Sequence, residues 1–142
     1  MSAALDRLKN LTAKISGYEV ARKENMSLLE ALYNELDIKQ KVLLFNDLFL
    51  FKAINLSGVS LGDETLGVIK EGKYLQIIAI SYDKDARVKN RNISLGHFGR
   101  AEKADPVLVK KIITFVLRWR FEKSFRTLEH YHKMIGSLKN EK

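Results

Sequence analysis

Asp105-Pro-Val-Leu-Val-Lys-Lys-Ile-Ile-Thr-Phe-Val-Leu-Arg-Trp-Arg-Phe-Glu-Lys-Ser-Phe-Arg-Thr-Leu-Glu-His-Tyr-His-Lys-Met-Ile-Gly-Ser-Leu138 decides how this chain is read. Asp105 suits an N-cap, and Pro106 the first helical position. No Gly or Pro follows until Gly136, where a C-cap is expected. The spacing predicts a helix of about 30 residues, roughly 45 Å long at ~1.5 Å per residue. A folded domain of this size has a radius of gyration of only about 14 Å. Such a helix must cross the whole body, kink, or project toward a partner. Its apolar arc, from Ile113 through Val116, Leu117, Trp119, Phe121 and Phe125 to Leu138, covers more than half the wheel. Lys111, Arg118, Glu122, Arg126, Glu129 and Lys133 fill the rest and predict a solvated face with i,i+4 ion pairs. Arg120 and Lys123 project from the apolar side. They are expected either to snorkel to its edge or to meet a ligand or partner.

Upstream, Leu5, Leu8, Leu11 and Ile15 predict a short helix that Ser16-Gly17 ends. Ser27 and Glu30 form a capping box for a second helix, with Leu28, Leu29, Leu32, Tyr33 and Leu36 as its apolar face. Residues 42–54 are the most apolar segment. Asn46-Asp47 suits the turn of a tight hairpin, while a single buried strand or helix fits the same run. The β reading is preferred, because the run carries three Phe and no helix cap. A further strand is expected near Leu66–Ile69, and a turn at Glu71-Gly72. Tyr74–Ser81 is the clearest strand. Being apolar on both sides, it is expected mid-sheet with cover on each face. Arg87–Leu95 is expected to return antiparallel to it, and Gly96–Arg100 to form a loop.

Phe45-Asn-Asp-Leu48 resembles the third-strand core of pleckstrin-homology domains, a family that closes with a Trp-bearing helix, as Trp119 does here. Two helices stand where that family has its first strands and phosphoinositide-binding loop. The expected architecture is therefore a single α+β domain over residues 1–142. It has a helical part at 1–40, a β-rich part at 41–100 with about four antiparallel strands, and a long helix at 105–138 packed on the sheet. So wide an apolar helix over so small a sheet predicts a homo-oligomer, a dimer.

The composition, 46% hydrophobic and 30% charged, is that of a globular chain. With no cysteine, disulfides, thiolate zinc sites and cysteine nucleophiles are excluded. No apolar run reaches the ~18–20 residues of a membrane span. Asp6, Arg7 and Lys9 make the N-terminus unlike a signal peptide, so a cytoplasmic location is expected.

Residues 1–70 carry nine Lys/Arg and nine Asp/Glu; residues 71–142 carry sixteen and eight. The whole net charge of +8 thus lies in the second half. A localised positive field attracts a polyanion. The candidate nucleic-acid contacts are Lys84, Arg87, Lys89, Arg91, Arg100 and Lys103, with His97 and Phe98 placed to stack a base. Alternate strand residues lie about 6.6–7 Å apart, similar to the spacing of successive phosphates. A charged edge strand kept soluble by its lysines is the plainer reading of the same residues. Asp63 with Glu71-Gly72-Lys73 only faintly resembles a metal-nuclease acid set, since Gly72 suggests a turn. His130 and His132 sit about 200° apart on a helix and cannot share a metal. No nucleophile elbow, phosphate loop or dinucleotide motif is present, and no cofactor or metal is expected. The expected function is non-enzymatic binding of a polyanion, nucleic acid foremost. The alternative is an adaptor or inhibitor that meets an acidic protein through Trp119, Arg120 and Lys123.

Overall fold

Two long helices and a three-stranded sheet make up the residues described, 2–82 and 90–140, in the computed structural model. Helix α1 spans Ala3–Glu35, strands β1, β2 and β3 span Ala53–Ser57, Tyr74–Tyr82 and Asn90–Arg100, and helix α2 spans Pro106–Asn140. The sheet is antiparallel in the order β1-β2-β3. The architecture is α+β, as expected, with three strands rather than four.

The predicted break at Ser16-Gly17 does not occur. α1 is one helix from its Ser2 cap, whose hydroxyl accepts from Leu5 N at 3.2 Å, and Ser27 lies in its interior. A mid-helix Gly costs only about 1 kcal/mol, and pairing with α2 from Tyr18 onward outweighs that. Lys111 Nζ lies 3.1 Å from Glu35, Asn25 and Arg118 exchange hydrogen bonds, Arg22 meets Glu122, and the Tyr18 and Phe125 rings are 6.2 Å apart. Numbers rising on one helix fall on the other, so the two helices form an antiparallel pair.

α2 starts as read: Asp105 Oδ1 accepts from Val107 N at 2.8 Å. It does not stop at Gly136 but runs to Asn140. Its buried residues are Val109, Ile112, Phe115, Val116, Trp119 and Glu122, a single stripe. Past the stripe, every described side chain of residues 127–139 is exposed except Gly136, and so is every described one of residues 3–11 and 17–20. The far ends of both helices therefore project together beyond the body.

The preferred β reading of residues 42–54 is wrong for its first half. Phe45–Leu50 is a 3₁₀ helix, and only Ala53–Ser57 is strand. Phe45, Leu48 and Phe49, spaced by three and four, all turn to the core, a helical rather than alternating pattern. Since Phe45–Leu48 is not a strand, the pleckstrin-homology resemblance fails there. The strand expected at Leu66–Ile69 shrinks to one bridge, Ile69 to Val59. Gly67, at φ +86°, turns the chain too sharply for a ladder. The stretch 96–100, expected as a loop, continues β3 with irregular register against Tyr74–Ile78. β2 is central, but cover is one-sided. Leu75, Ile77 and Ala79 are fully buried, whereas Gln76, Ile78 and Ile80 are only half-buried.

Gly58 is the tightest backbone position. At φ +92°, an added Cβ would lie 2.7 Å from the Tyr74 carbonyl oxygen. Gly58→Ala is expected to cost about 2–4 kcal/mol, left-handed strain plus a backbone clash. Exposed Gly17 meets nothing within 4 Å, so Gly17→Ala is expected to gain about 0.5–1 kcal/mol. Urea midpoints of the two variants check both signs.

Candidate nucleic-acid interface

Residues paired across an antiparallel ladder share a face. The helices cover Ile54 and Leu56 of β1, Leu75, Ile77 and Ala79 of β2, and Ile93 and Leu95 of β3. The opposite face carries Asn55 and Ser57, then Tyr74, Gln76, Ile78, Ile80 and Tyr82, then Asn92, Ser94, His97 and Arg100. No helix lies over it among the described residues. Tyr74 and Tyr82 are 54% and 59% exposed. They stand at the two ends of β2, about 26 Å apart at ~3.3 Å per residue.

The predicted site residues divide across this geometry. Lys84, Arg87 and Lys89 lie outside the described residues. Arg91 pairs with Ser81 and is exposed, but on the helix side of the sheet, beyond the end of its cover. His97 is on the open face, its ring centroid 5.2 Å from that of Tyr74. Its Nδ1 accepts from Gly99 N at 3.4 Å. Phe98 turns the other way, packs on the core and covers Gly96, where an added Cβ would meet its ring at 2.7 Å. It is not available to stack a base. Arg100 is on the open face, half-exposed, with Nε 3.6 Å from Glu102. Lys103 follows, exposed, in the 3₁₀ turn that buries Ala101. The Glu102 carboxyl sits below its ordinary range. Its own backbone amide is the largest cause, and the Gly72 amide, Arg100 and Lys103 add to it against some desolvation.

Trp119, Arg120 and Lys123 all spend their donors on the backbone of the same chain. Trp119 Nε1 donates to Leu48 O at 2.9 Å, Lys123 Nζ to Phe49 O at 2.8 Å, and Arg120 to Ile54 O at 3.2 and 3.3 Å and to Asn55 Oδ1 at 3.1 Å. A short 3₁₀ turn leaves carbonyls that no ladder satisfies; Trp119 and Lys123 satisfy two of them, and Arg120 binds β1 instead. Trp119 is 2% exposed and lies parallel to Phe49. Burial, with Arg126 nearby, pushes the Lys123 ammonium below its usual value.

Sequence reasoning did not single out Tyr74, Gln76 and Tyr82 as candidates. The signal was in the stretch Tyr74–Tyr82, where every second residue is aromatic, amide or aliphatic and the intervening ones are uniformly small or aliphatic. Read as apolar on both sides, the same strand is instead expected to be covered on each face. The face offers rings that can stack bases, side-chain amides and hydroxyls that can hydrogen-bond, and cations at its rim. Three such bonds are already made internally: Gln76 Nε2 donates to Ser94 Oγ at 2.8 Å, Ser57 Oγ to Tyr74 O at 3.0 Å, and Arg120 to Asn55 Oδ1 at 3.1 Å.

Among the described residues, no three His, Asp or Glu side chains converge as metal ligands. No described helix is long and apolar enough to cross a membrane. The chain is an α+β protein whose sheet, among the described residues, is covered by helices on one face only. No family model matches it, and no curated protein or solved structure is significantly similar to it.

Proposed function

We propose that this protein is a non-enzymatic, cytoplasmic binder of nucleic acid that lays a single strand across the open face of its sheet. The observation that carries this reading is the uncovered face itself. Tyr74 with His97 marks one end and Tyr82 the other, and both lie in the half of the chain that holds the entire +8 excess. Aromatic side chains on a sheet stack bases with little sequence preference, and flanking cations hold the phosphates. Arg100 and Lys103 flank the Tyr74 end. Lys84, Arg87 and Lys89, outside the described residues, follow Tyr82 in the sequence.

Fluorescence anisotropy with a labelled 12-nucleotide strand tests it. With about four phosphates neutralised, affinity is expected to fall about 50-fold between 50 and 200 mM salt. Tyr74→Ala and Tyr82→Ala are each expected to cost about 1–3 kcal/mol of binding. Flat salt dependence, or no binding at 50 mM, rejects the reading.

A second reading is favoured by the projecting helix ends. Leu11, Leu128, Tyr131, Ile135 and Leu138 are each more than half exposed there. Exposed apolar side chains on projecting helix ends suit a docking surface for an adaptor or inhibitor. Residues 3–20 and 125–140 carry six Lys/Arg and three Asp/Glu, so an acidic partner suits them better than a second copy, which would set like charges together. Light scattering separates a homodimer from this heterotypic arrangement. Leu128→Asp with Ile135→Asp is expected to abolish partner capture and leave oligonucleotide affinity unchanged.

A further inference from the structure

On the helix side of the molecule, away from the open sheet face, a cavity of about 590 Å³ opens between the 61–69 loop, the turn after β3 and the first three turns of α2. Leu66, Ile69, Val109, Ile113 and Leu117 supply its large apolar side chains. The volume lies within the ~300–1,000 Å³ of small-ligand sites, which are mainly apolar with a few placed polar groups. Leu66 is 54% exposed although the cavity lies beside it. An apolar side chain in that position gains by having the space filled.

The walls are fixed. The loop is tied by Ser60 N to Val68 O, Gly67 N to Ser60 O and Lys70 N to Gly58 O, each 2.9 Å. α2 is held by its Asp105 cap. The site is therefore pre-formed, and a ligand loses little in ordering it.

Three polar side chains border the cavity: Glu102, Lys110 and Thr114. Thr114 Oγ1 donates to Lys110 O at 2.7 Å, so its hydrogen is used within the helix. Glu102 accepts from Gly72 N at 3.3 Å and lies beside Arg100. Lys111, one residue on, is paired with Glu35. Lys110 enters no ion pair among the described residues. An apolar pocket with one uncommitted cation at its rim is complementary to an amphipathic anion.

We propose that this cavity binds a medium-chain fatty acid, its alkyl chain against Leu66, Val109 and Ile113 and its carboxylate at Lys110. Displacement of a fluorescent undecanoate probe by free fatty acids tests it, with calorimetry on the full chain as the second measurement. Decanoate is expected to displace the probe, and octanoate to bind about 10–15-fold more weakly, at about fourfold per methylene. Lys110→Gln is expected to weaken decanoate about 5–10-fold and leave decanol unchanged. Leu66→Ser, at a half-exposed position that the fold does not need, is expected to weaken both.

No displacement by 1 mM decanoate overturns the proposal. So does displacement that neither Lys110→Gln nor Leu66→Ser changes, or binding to phosphatidylglycerol vesicles without binding to free decanoate. None of these outcomes touches the oligonucleotide titration, because the two sites lie on opposite sides of the sheet.

Discussion

Trp119→Ala is expected to lower stability by about 3–5 kcal/mol, a large share of the ~5–15 kcal/mol that holds a domain together. At roughly 3 °C per kcal/mol for a chain of this length, the melting midpoint falls by about 10–15 °C. Three losses combine. The indole leaves a cavity, because its neighbours Phe49, Val116 and Phe115 sit on rigid elements. Its parallel stacking on Phe49, at 6.3 Å between centroids, disappears. The Leu48 carbonyl loses its donor in a buried place. Trp119→Phe separates these terms. It retains most of the apolar area and leaves the carbonyl unpaired, so about 1–3 kcal/mol is expected. Thermal unfolding by circular dichroism checks both. A Trp119→Ala variant that melts like the parent shows that the indole does not hold α2 to the Phe45–Leu50 turn.

The second large effect belongs to Glu122. Only 3% exposed, it accepts from Arg22 Nε at 3.0 Å, Arg22 Nη2 at 2.8 Å and Arg126 Nε at 3.0 Å. Arg22 also reaches Glu129 at 2.9 Å. Arg126 additionally lies over the Phe49 ring, 4.0 Å from its centroid. One carboxylate thus joins α1 to α2 and orders the cation above the aromatic cluster. Removing it leaves two guanidinium groups facing each other without their shared anion. Breaking a buried pair costs about 3–5 kcal/mol. Because both arginines reach solvent, Glu122→Ala is expected to cost somewhat less, about 2–4 kcal/mol.

The same carboxylate sets an acid limit. Burial alone would raise its pKa, but the hydrogen bonds from Arg22 and Arg126 outweigh burial and hold it below the ordinary 4.5. A native group that binds its proton less readily than the unfolded one makes stability rise with pH. Its contribution is complete above pH 4.5 and is lost as pH falls through the lower native value. Glu122→Gln removes this dependence. The urea stabilities of parent and Glu122→Gln are expected to converge as pH drops below 4.5 and to separate above it. Parallel curves across that range would show that Glu122 is not the linked group.

Glu122 also shows where the linear reading of the chain stops. On a helical wheel it belongs to the polar arc, and its i,i+4 partner Arg126 was visible there. That it is buried depends on Arg22, a hundred residues away. Likewise Arg120 and Lys123 were rightly seen as cations on an apolar side. Their acceptors are carbonyls of Ile54 and Phe49, which no spacing rule connects to α2. At Ser16-Gly17 and Gly136, local helix-ending signals of about 1 kcal/mol each were overruled. At the first, contacts with α2 hold α1 from Tyr18 onward, directly after the glycine. At the second, α2 runs on to Asn140, and its described residues from 127 to 139 have no buried face.

By itself the sequence determined the α+β class, the long closing helix with its Asp105 cap, the antiparallel return of β2 into β3, and the concentration of positive charge after residue 70. These follow from short-range periodicity, capping and composition, which act over a few residues and survive in any tertiary context. Only the tertiary structure decided that α1 is unbroken, that Phe45–Leu50 is a 3₁₀ turn, and which face of the sheet stays bare. It also decided where Trp119 and Glu122 find their partners. The physical reason is that burial and hydrogen-bond partnership are properties of pairs distant in the chain. Each such pair outweighs the local preference of either member.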